Sequence, residues 1–346
     1  LGIEHWALSS EQYSDYHARF GVRDIPLHDI QAAAGAVYDL VVRTPLIRLE
    51  LPDTPVHRRE TEIFLKLETL QPIGSFKIRG AYNAVRQLSE NERRDGVWTV
   101  SAGNAGQGVA LAARHTGIPC SVMVMDTAPR TKVEAIRTLG ATMVAASYDE
   151  CWRTVEAHGS ARMRGQFIHP FDNDRFIAGN ATLGLEILED LPHVDAIVGA
   201  VGGGGLLSGV GSAVRAVKPS TRIVAAEPET AAPLATSLRN GCASRFDQWR
   251  ASFVDGAGGQ SVLPTMWPLL SRLVESSIVV PLSEVAAAMR LVADRCHVVM
   301  EGAAGCAVAA ALTGQLRGTV VAIVSGGNID LSTFAKLTGA CKEPIA

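Results

Sequence analysis

Lys77 and three loops of small residues are the groups in this sequence whose types and spacing could do chemistry. Lys77 lies in Gly74-Ser75-Phe76-Lys77-Ile78-Arg79-Gly80. Ser75 is a helix N-cap type, and Ile78, Ala81, Tyr82 and Val85 follow at i, i+3, i+4 and i+7, which predicts a helix beginning beside Lys77. The positive end of the helix dipole disfavours an ammonium ion there. Gly80, Ala81 and Ala84 leave room for another element to pack against the lysine stem. Such a lysine is readily kept neutral and nucleophilic, although a helix-start lysine taken alone is more often a solvated cation.

The first loop, Ser101-Ala102-Gly103-Asn104-Ala105-Gly106-Gln107-Gly108, joins a strand to a helix and offers free N–H groups with two polar side chains. It suits a carboxylate; a plain glycine-rich turn is the alternative. In the second, Gly202-Gly203-Gly204-Gly205 follow an apolar strand and precede a helix over 206–217, the makings of a phosphate cup. Leu206 and Leu207 stand where a P-loop places its lysine and hydroxyl, so the cup binds phosphate without transferring it. Ser208 breaks a G-x-G-x-x-G pattern, yet Glu227 ends the next apolar strand like the ribose-binding acid of a dinucleotide fold. A nicotinamide-dependent dehydrogenase is therefore the second reading at this stage. The third loop, Ser325-Gly326-Gly327-Asn328, can present a neutral hydroxyl inside a site or hold a satisfied turn serine.

These loops need rigid elements behind them. Strands are predicted at 63–67, 97–100, 120–125, 142–145, 196–201, 223–226 and 319–324, with helices at 27–41, 109–115 and 131–139. Short apolar strands alternating with helices imply parallel βαβ units, hence an α/β protein. Trp6, Tyr13, Tyr16 and Phe20 mark a peripheral helical segment, and 51–60 reads as a surface loop. The segment His169-Pro170-Phe171-Asp172 separates the two strand series. It marks a domain crossing, with a large cofactor domain at 1–90 and 170–346 and a small mobile domain at 91–169.

The 346 residues are enough for two domains, and 47% hydrophobic with 19% charged residues is ordinary for a globular chain. A net charge of −3 provides no basic field for nucleic acid, and no apolar run approaches membrane-spanning length. A small-molecule ligand is expected. The six cysteines lie far apart without zinc spacing, which favours reduced thiols and the cytoplasm. The start lacks the basic-then-apolar order of a signal peptide.

Taken in order, the Lys77 stretch, Ser101-Ala102-Gly103-Asn104, His169-Pro170-Phe171-Asp172, the four glycines and Ser325-Gly326-Gly327-Asn328 resemble a fold type II pyridoxal-phosphate enzyme. They are most similar to the threonine/serine dehydratase group, which includes serine racemase. The likeness runs from Thr44-Pro45-Leu46 to about Asp330. It implies two open, twisted, mostly parallel sheets flanked by helices, pyridoxal 5'-phosphate as cofactor, a small amino-acid substrate and a homodimer. It implies Lys77 as the Schiff-base lysine and catalytic base, Phe76 beside the cofactor ring, Asn104 on the ring hydroxyl and Gly202, Gly203, Gly204 and Gly205 on the phosphate. Ser325 is implied at the pyridine nitrogen, and Ser101, Ala102, Gly103, Asn104 and Ala105 around the substrate carboxylate. A serine at that nitrogen makes the cofactor a weaker electron sink than an aspartate would, which favours elimination over transamination. The implied reaction is β-elimination from a β-hydroxy amino acid such as L-threonine, L-serine or a bulkier analogue, giving a 2-oxo acid and ammonia. Alternatives are β-replacement or racemisation with the same cofactor, or a non-catalytic binding protein on this fold.

Several positions depart from the group. Ala105-Gly106 stands where His-Ala or His-Gly is usual, and Asn180-Ala181 replaces Gln-Gly; Ala105 opens space for a substrate bulkier than threonine. Ala102 occupies the place of the racemases' second serine, so racemisation should be minor. Glu227 matches a cation-binding carboxylate of some relatives, but Pro233 stands where the second acidic ligand is expected, so no metal is assigned and Glu227 should bond neighbouring backbone. Glu301, before a small-residue helix, matches a glutamate near the cofactor ring and also reads as a structural cap. Only 16 residues follow Asp330, too few for the regulatory module of feedback-inhibited threonine deaminases.

Overall fold

Most of the apolar runs form strands buried on both faces, as parallel sheets covered by helices require, and Thr142–Ala146, at a sheet edge, is a part-exposed exception. The computed structural model describes residues 23–51 and 61–339. The aromatic-bearing segment before residue 21, nearly all of the loop expected at 51–60 and Cys341 lie outside these. The strands are β1 (Leu46–Arg48), β2 (Thr61–Leu67), β3 (Val97–Val100), β4 (Cys120–Met125), β5 (Thr142–Ala146), β6 (Gln166–Phe167), β7 (Ala196–Ala200), β8 (Arg222–Pro228), β9 (Ser276–Val280) and β10 (Gly318–Val324). The first sheet has the order β1-β2-β10-β7-β8-β9 and the second β5-β4-β3-β6. Every pairing is parallel except β1 with β2. This is the open α/β architecture expected. The unforeseen strands β1, β6 and β9 are two short pieces and one edge.

Period-two alternation divides the core. Ile197, Ile223, Val321 and Ile323 join the core on one face of the larger sheet, while Val198, Val224, Val320 and Ala322 join that on the other. Helix Gly302–Leu312 lies wholly within the second core, with ten of its eleven residues buried. In the smaller sheet Val97 and Val122 face helices Lys77–Arg86 and Asn104–Thr116, while Trp98, Val100 and Met123 face Cys151 and Val155 of helix Tyr148–Glu156.

Three expectations are corrected. The helix expected over 27–41 is Leu27–Ala34 followed by a 3₁₀ turn at Val37–Asp39. Ser75 does not cap the lysine helix: it forms a β-bridge with Gly326, and the N–H of Phe76 donates to Ser325 O (3.0 Å), so Phe76 takes the cap position. The first loop is shorter than expected, because the helix starts at Asn104. Gly106 is a packing residue within it; a Cβ there would lie 2.3 Å from Ser101 O.

Lys77–Arg86 is held by buried charge as well as by apolar contact. Gly80 admits Phe176, whose ring would meet a Cβ at 2.1 Å. Two residues from Lys77, Arg79 is fully buried between Glu68 and Glu186, and Glu186 also binds Lys66. No helix among the described residues is long and apolar enough to cross a membrane.

Candidate active site

The carboxyl ends of β3, β7 and β10 open on one cavity of about 450 Å³, where ligands of open α/β sheets bind. Lys77 Nζ reaches it from the first turn of its helix and donates to Pro170 O at 2.7 Å. That carbonyl is fixed by His169, whose Nδ1 accepts from the N–H groups of Phe171 (3.3 Å) and Asp172 (2.8 Å) while Nε2 donates to Val155 O. Burial holds His169 neutral, its pKa down at about 3. Burial also lowers Lys77 to about 8, partly opposed by Glu301. The sequence reading credited the helix dipole, whereas desolvation is the chief cause.

The lowered value has a measurable consequence. Condensation of added pyridoxal 5'-phosphate with cofactor-free protein needs the neutral amine. Its rate should rise close to tenfold per pH unit up to about 8 and then level off. A rate still climbing at pH values near 10.5, the ordinary lysine value, would show that Lys77 is not desolvated.

The short first loop lines the cavity with Ser101, Ala102, Gly103, Asn104 and Ala105. Ser101 Oγ accepts from Gly103 N (3.1 Å), and the first N–H groups of helix Asn104–Thr116 have no intrahelical acceptor. Opposite lies the glycine turn at the start of helix Gly205–Val217. Gly204 adopts φ +90°, which an L side chain rarely reaches, and a Cβ on Gly203 would lie 2.2 Å from the Phe171 ring. The turn therefore curls around an anion-sized space under the helix dipole.

Between these walls sits a hydrogen-bonded chain. Asn104 Nδ2 donates to Glu301 Oε1 at 2.8 Å, and Asn328 Nδ2 donates to Asn104 Oδ1 at 2.7 Å. Glu301 occupies the cap position of helix Gly302–Leu312 but makes no side-chain cap bond; its carboxylate faces Asn104 instead. Burial and then Asp255 raise its pKa to about 7. Ser325 is 3% exposed at the end of β10, and Phe76 lines the same cavity. Glu227 lies elsewhere. It is buried, with its oxygens accepting from Leu234 N, Ala235 N (2.7 Å each) and Ser277 Oγ (2.6 Å), the backbone-bonded arrangement expected of it. Glu227 is fully buried and does not line the cavity, out of reach of a ribose there, and the dehydrogenase reading loses its support.

Sequence reasoning missed the mouth of the cavity. Lys132 pairs with Asp255, and Gln260 Nε2 donates to Tyr148 OH at 3.0 Å, both contacts running from the smaller-sheet half to the 255–261 segment. It also missed an apolar wall of Met123, Met125, Cys151, Trp152 and Val155. Tyr148, Cys151, Trp152 and Val155 stand at i, i+3, i+4 and i+7, a stripe readable from the sequence.

The residues fit pyridoxal 5'-phosphate: an amine held near neutrality, a curled glycine turn for phosphate, and a neutral hydroxyl at a strand end. A buried lysine and a curled glycine turn at the carboxyl ends of two mostly parallel sheets are the architecture of a fold type II pyridoxal-phosphate enzyme. The chain belongs to the pyridoxal-phosphate dependent enzyme family, whose profile matches residues 37–326. It is 38% identical to the L-threonine ammonia-lyase of Thermotoga maritima over 321 residues, covering 90% of this chain and 78% of that one. Among solved structures it is similar to the processed form of threonine deaminase isoform 2 from Solanum lycopersicum, with a TM-score of 0.79 and 30% identity over 97% of this chain and 95% of that one. Maize serine racemase is similar at a TM-score of 0.78 and 32% identity, covering 92% of this chain and 98% of that one.

Proposed function

We propose that this enzyme eliminates water from a β-hydroxy amino acid of the threonine and serine class, and that the dehydrated product then takes up water and releases ammonia, giving a 2-oxo acid. The observation that carries the reading is the meeting in one cavity of Lys77, the 101–105 turn, the glycine cup and Ser325. The relatives named L-threonine ammonia-lyase and threonine deaminase support it. The N–H groups of the 101–105 turn hold the substrate carboxylate, and those of the 202–205 turn hold the cofactor phosphate. Bound pyridoxal 5'-phosphate supplies the electron sink for the charge left when the α-proton departs. Lys77, neutral when the substrate amine has displaced it, takes that proton and as the ammonium gives one back to the departing β-hydroxyl, which leaves as water. Ser325 offers the ring nitrogen a hydroxyl and no negative charge, which keeps the sink modest and favours rapid elimination. The 91–169 segment acts as the small domain. Its Lys132–Asp255 and Tyr148–Gln260 contacts close the mouth and exclude water until elimination is complete.

The substrate side chain lies against the apolar wall, beside the space left by Ala105. The wall carries no charge, so an apolar group larger than the threonine methyl is accommodated. Ammonia release from serine, threonine, 3-hydroxyleucine and 3-phenylserine tests both levels. We expect kcat/KM to rise roughly tenfold from serine to the larger substrates. Equal or poorer rates on every larger substrate would remove the size reading and leave the dehydratase; no ammonia from any of them would remove the dehydratase. With Ala102 in place of an opposite-face serine, D-amino acid should form only in traces. The proposal takes the enzyme as cytoplasmic and homodimeric; the five described cysteines all carry free thiols, which suits a reducing compartment.

A further inference from the structure

Asn328 is bonded to the loop before Lys77, to Asn104 and to Glu301, three of the parts that line the cavity. One side-chain N–H donates to Ile73 O (2.8 Å), in the loop leading to Lys77, and the other to Asn104 Oδ1 (2.7 Å). Its backbone N–H bonds the Glu301 carboxylate. Gly327 N donates to Gly74 O (2.9 Å) and Glu301 N to Gly326 O (3.0 Å), so the third loop is tied on both sides.

The polarity of this chain is fixed at its ends. A backbone carbonyl only accepts, so the Asn328 group facing Ile73 O is its NH₂. That NH₂ also faces Asn104, so the Asn104 atom it meets is the carbonyl oxygen. The Asn104 NH₂ is then directed at Glu301, 2.8 Å away, whose carboxylate accepts. One Asn104 hydrogen is spent on Glu301. Asn104 lines the cavity, and with its carbonyl oxygen committed to Asn328 it has one N–H left to offer a ligand.

We infer that Asn328 is a positioning residue that sets the flip state of the Asn104 amide, so that Asn104 meets the cofactor only as a donor. A donor suits the ring oxygen of pyridoxal 5'-phosphate, which carries negative charge; a flipped amide would present a carbonyl to it. The inference rests on cofactor binding alone and not on which amino acid is consumed.

The test uses the purified protein titrated with pyridoxal 5'-phosphate. Asn328→Asp removes both donors and places carboxylate oxygens against Asn104 Oδ1, which favours the flipped amide. Asn328→Ala removes the clamp without adding charge, and carries the test should the aspartate variant not fold. Each should raise the cofactor Kd at least tenfold. Each should also move upward the pH midpoint of the bound cofactor's visible band, because the ring oxygen loses a donor to its anionic form. In an Asn104→Ala background the same Asn328 changes should alter the Kd less than twofold, since no amide remains to be oriented. A merely structural asparagine would lower the melting temperature, leave the band's pH midpoint where it was, and weaken binding equally in both backgrounds. Either of the last two results would overturn the inference.

Discussion

Lys77→Ala is expected to lower ammonia release by at least about 10³-fold and to abolish the visible band of covalently held cofactor, without unfolding the protein. The size follows from two losses at one atom, because the proposed reaction uses the amine both as the covalent anchor and as the base for the α-proton. The fold is expected to persist because, among the described residues, the only hydrogen bond of Nζ runs to Pro170 O, and because burial already disfavours the lysine's charge. The glycine cup and Asn104 are untouched, so cofactor should still bind, reversibly and more weakly. Free methylamine should restore part of the proton transfer, whereas a bulkier amine should not fit between Phe76 and Phe176, whose ring centres lie 5.3 and 5.6 Å from Nζ. Undiminished ammonia release by the purified variant would place the chemistry elsewhere.

Why Lys77 was legible and its surroundings only partly so has a physical basis. Small residues in strings serve few purposes, so Gly202-Gly203-Gly204-Gly205 and Ser325-Gly326-Gly327-Asn328 announce themselves. β7 and β10 are continuous apolar runs that can only be buried strands. What escaped depends on partners far away in sequence. Ser75 has the chemistry of a cap, but its backbone is claimed by Gly326, about 250 positions on. Asn328 shows no role in the sequence of its loop, because that role exists only where Ile73 and Asn104 come together. Lys132 and Asp255, 123 residues apart, are each an ordinary surface charge until the two halves face one another. Glu301 shows the reverse. Its position before a small-residue helix is the one expected of a cap, yet the carboxylate turns to Asn104, because the cavity offers it a donor.

Arg79 is the furthest from what its sequence neighbourhood suggests, and its replacement by methionine is expected to cost about 3–5 kcal/mol of stability. The guanidinium holds Glu68 through Nε (2.7 Å) and Nη2 (2.8 Å), and Glu186 through Nη1 (2.6 Å) and Nη2 (3.0 Å). Both carboxylates are buried, so removing the cation leaves two desolvated anions, of which Glu186 keeps an ammonium partner in Lys66 while Glu68 has no other cation bonded to it among the described residues. Arg79→Lys should recover less than half of the loss, because one ammonium cannot bond both carboxylates in fork geometry. The pH dependence has a definite sign. Burial alone would raise Glu186, and Arg79 with Lys66 reverses this and lowers it. In the native protein Glu186 therefore contributes stability above the ordinary carboxylate value of 4.5, lost as pH falls through its depressed value. Without Arg79 that depression weakens, so the penalty in urea unfolding should be largest near neutrality and shrink toward pH values of about 4. A loss under about 1 kcal/mol at neutral pH, or a penalty that grows on acidification, would mean that the charges are relaxed by water rather than by Arg79. Because Arg79 sits half a turn from Lys77, the same variant should also loosen the start of the lysine helix, raising the cofactor Kd while leaving Asn104 and the glycine cup chemically intact.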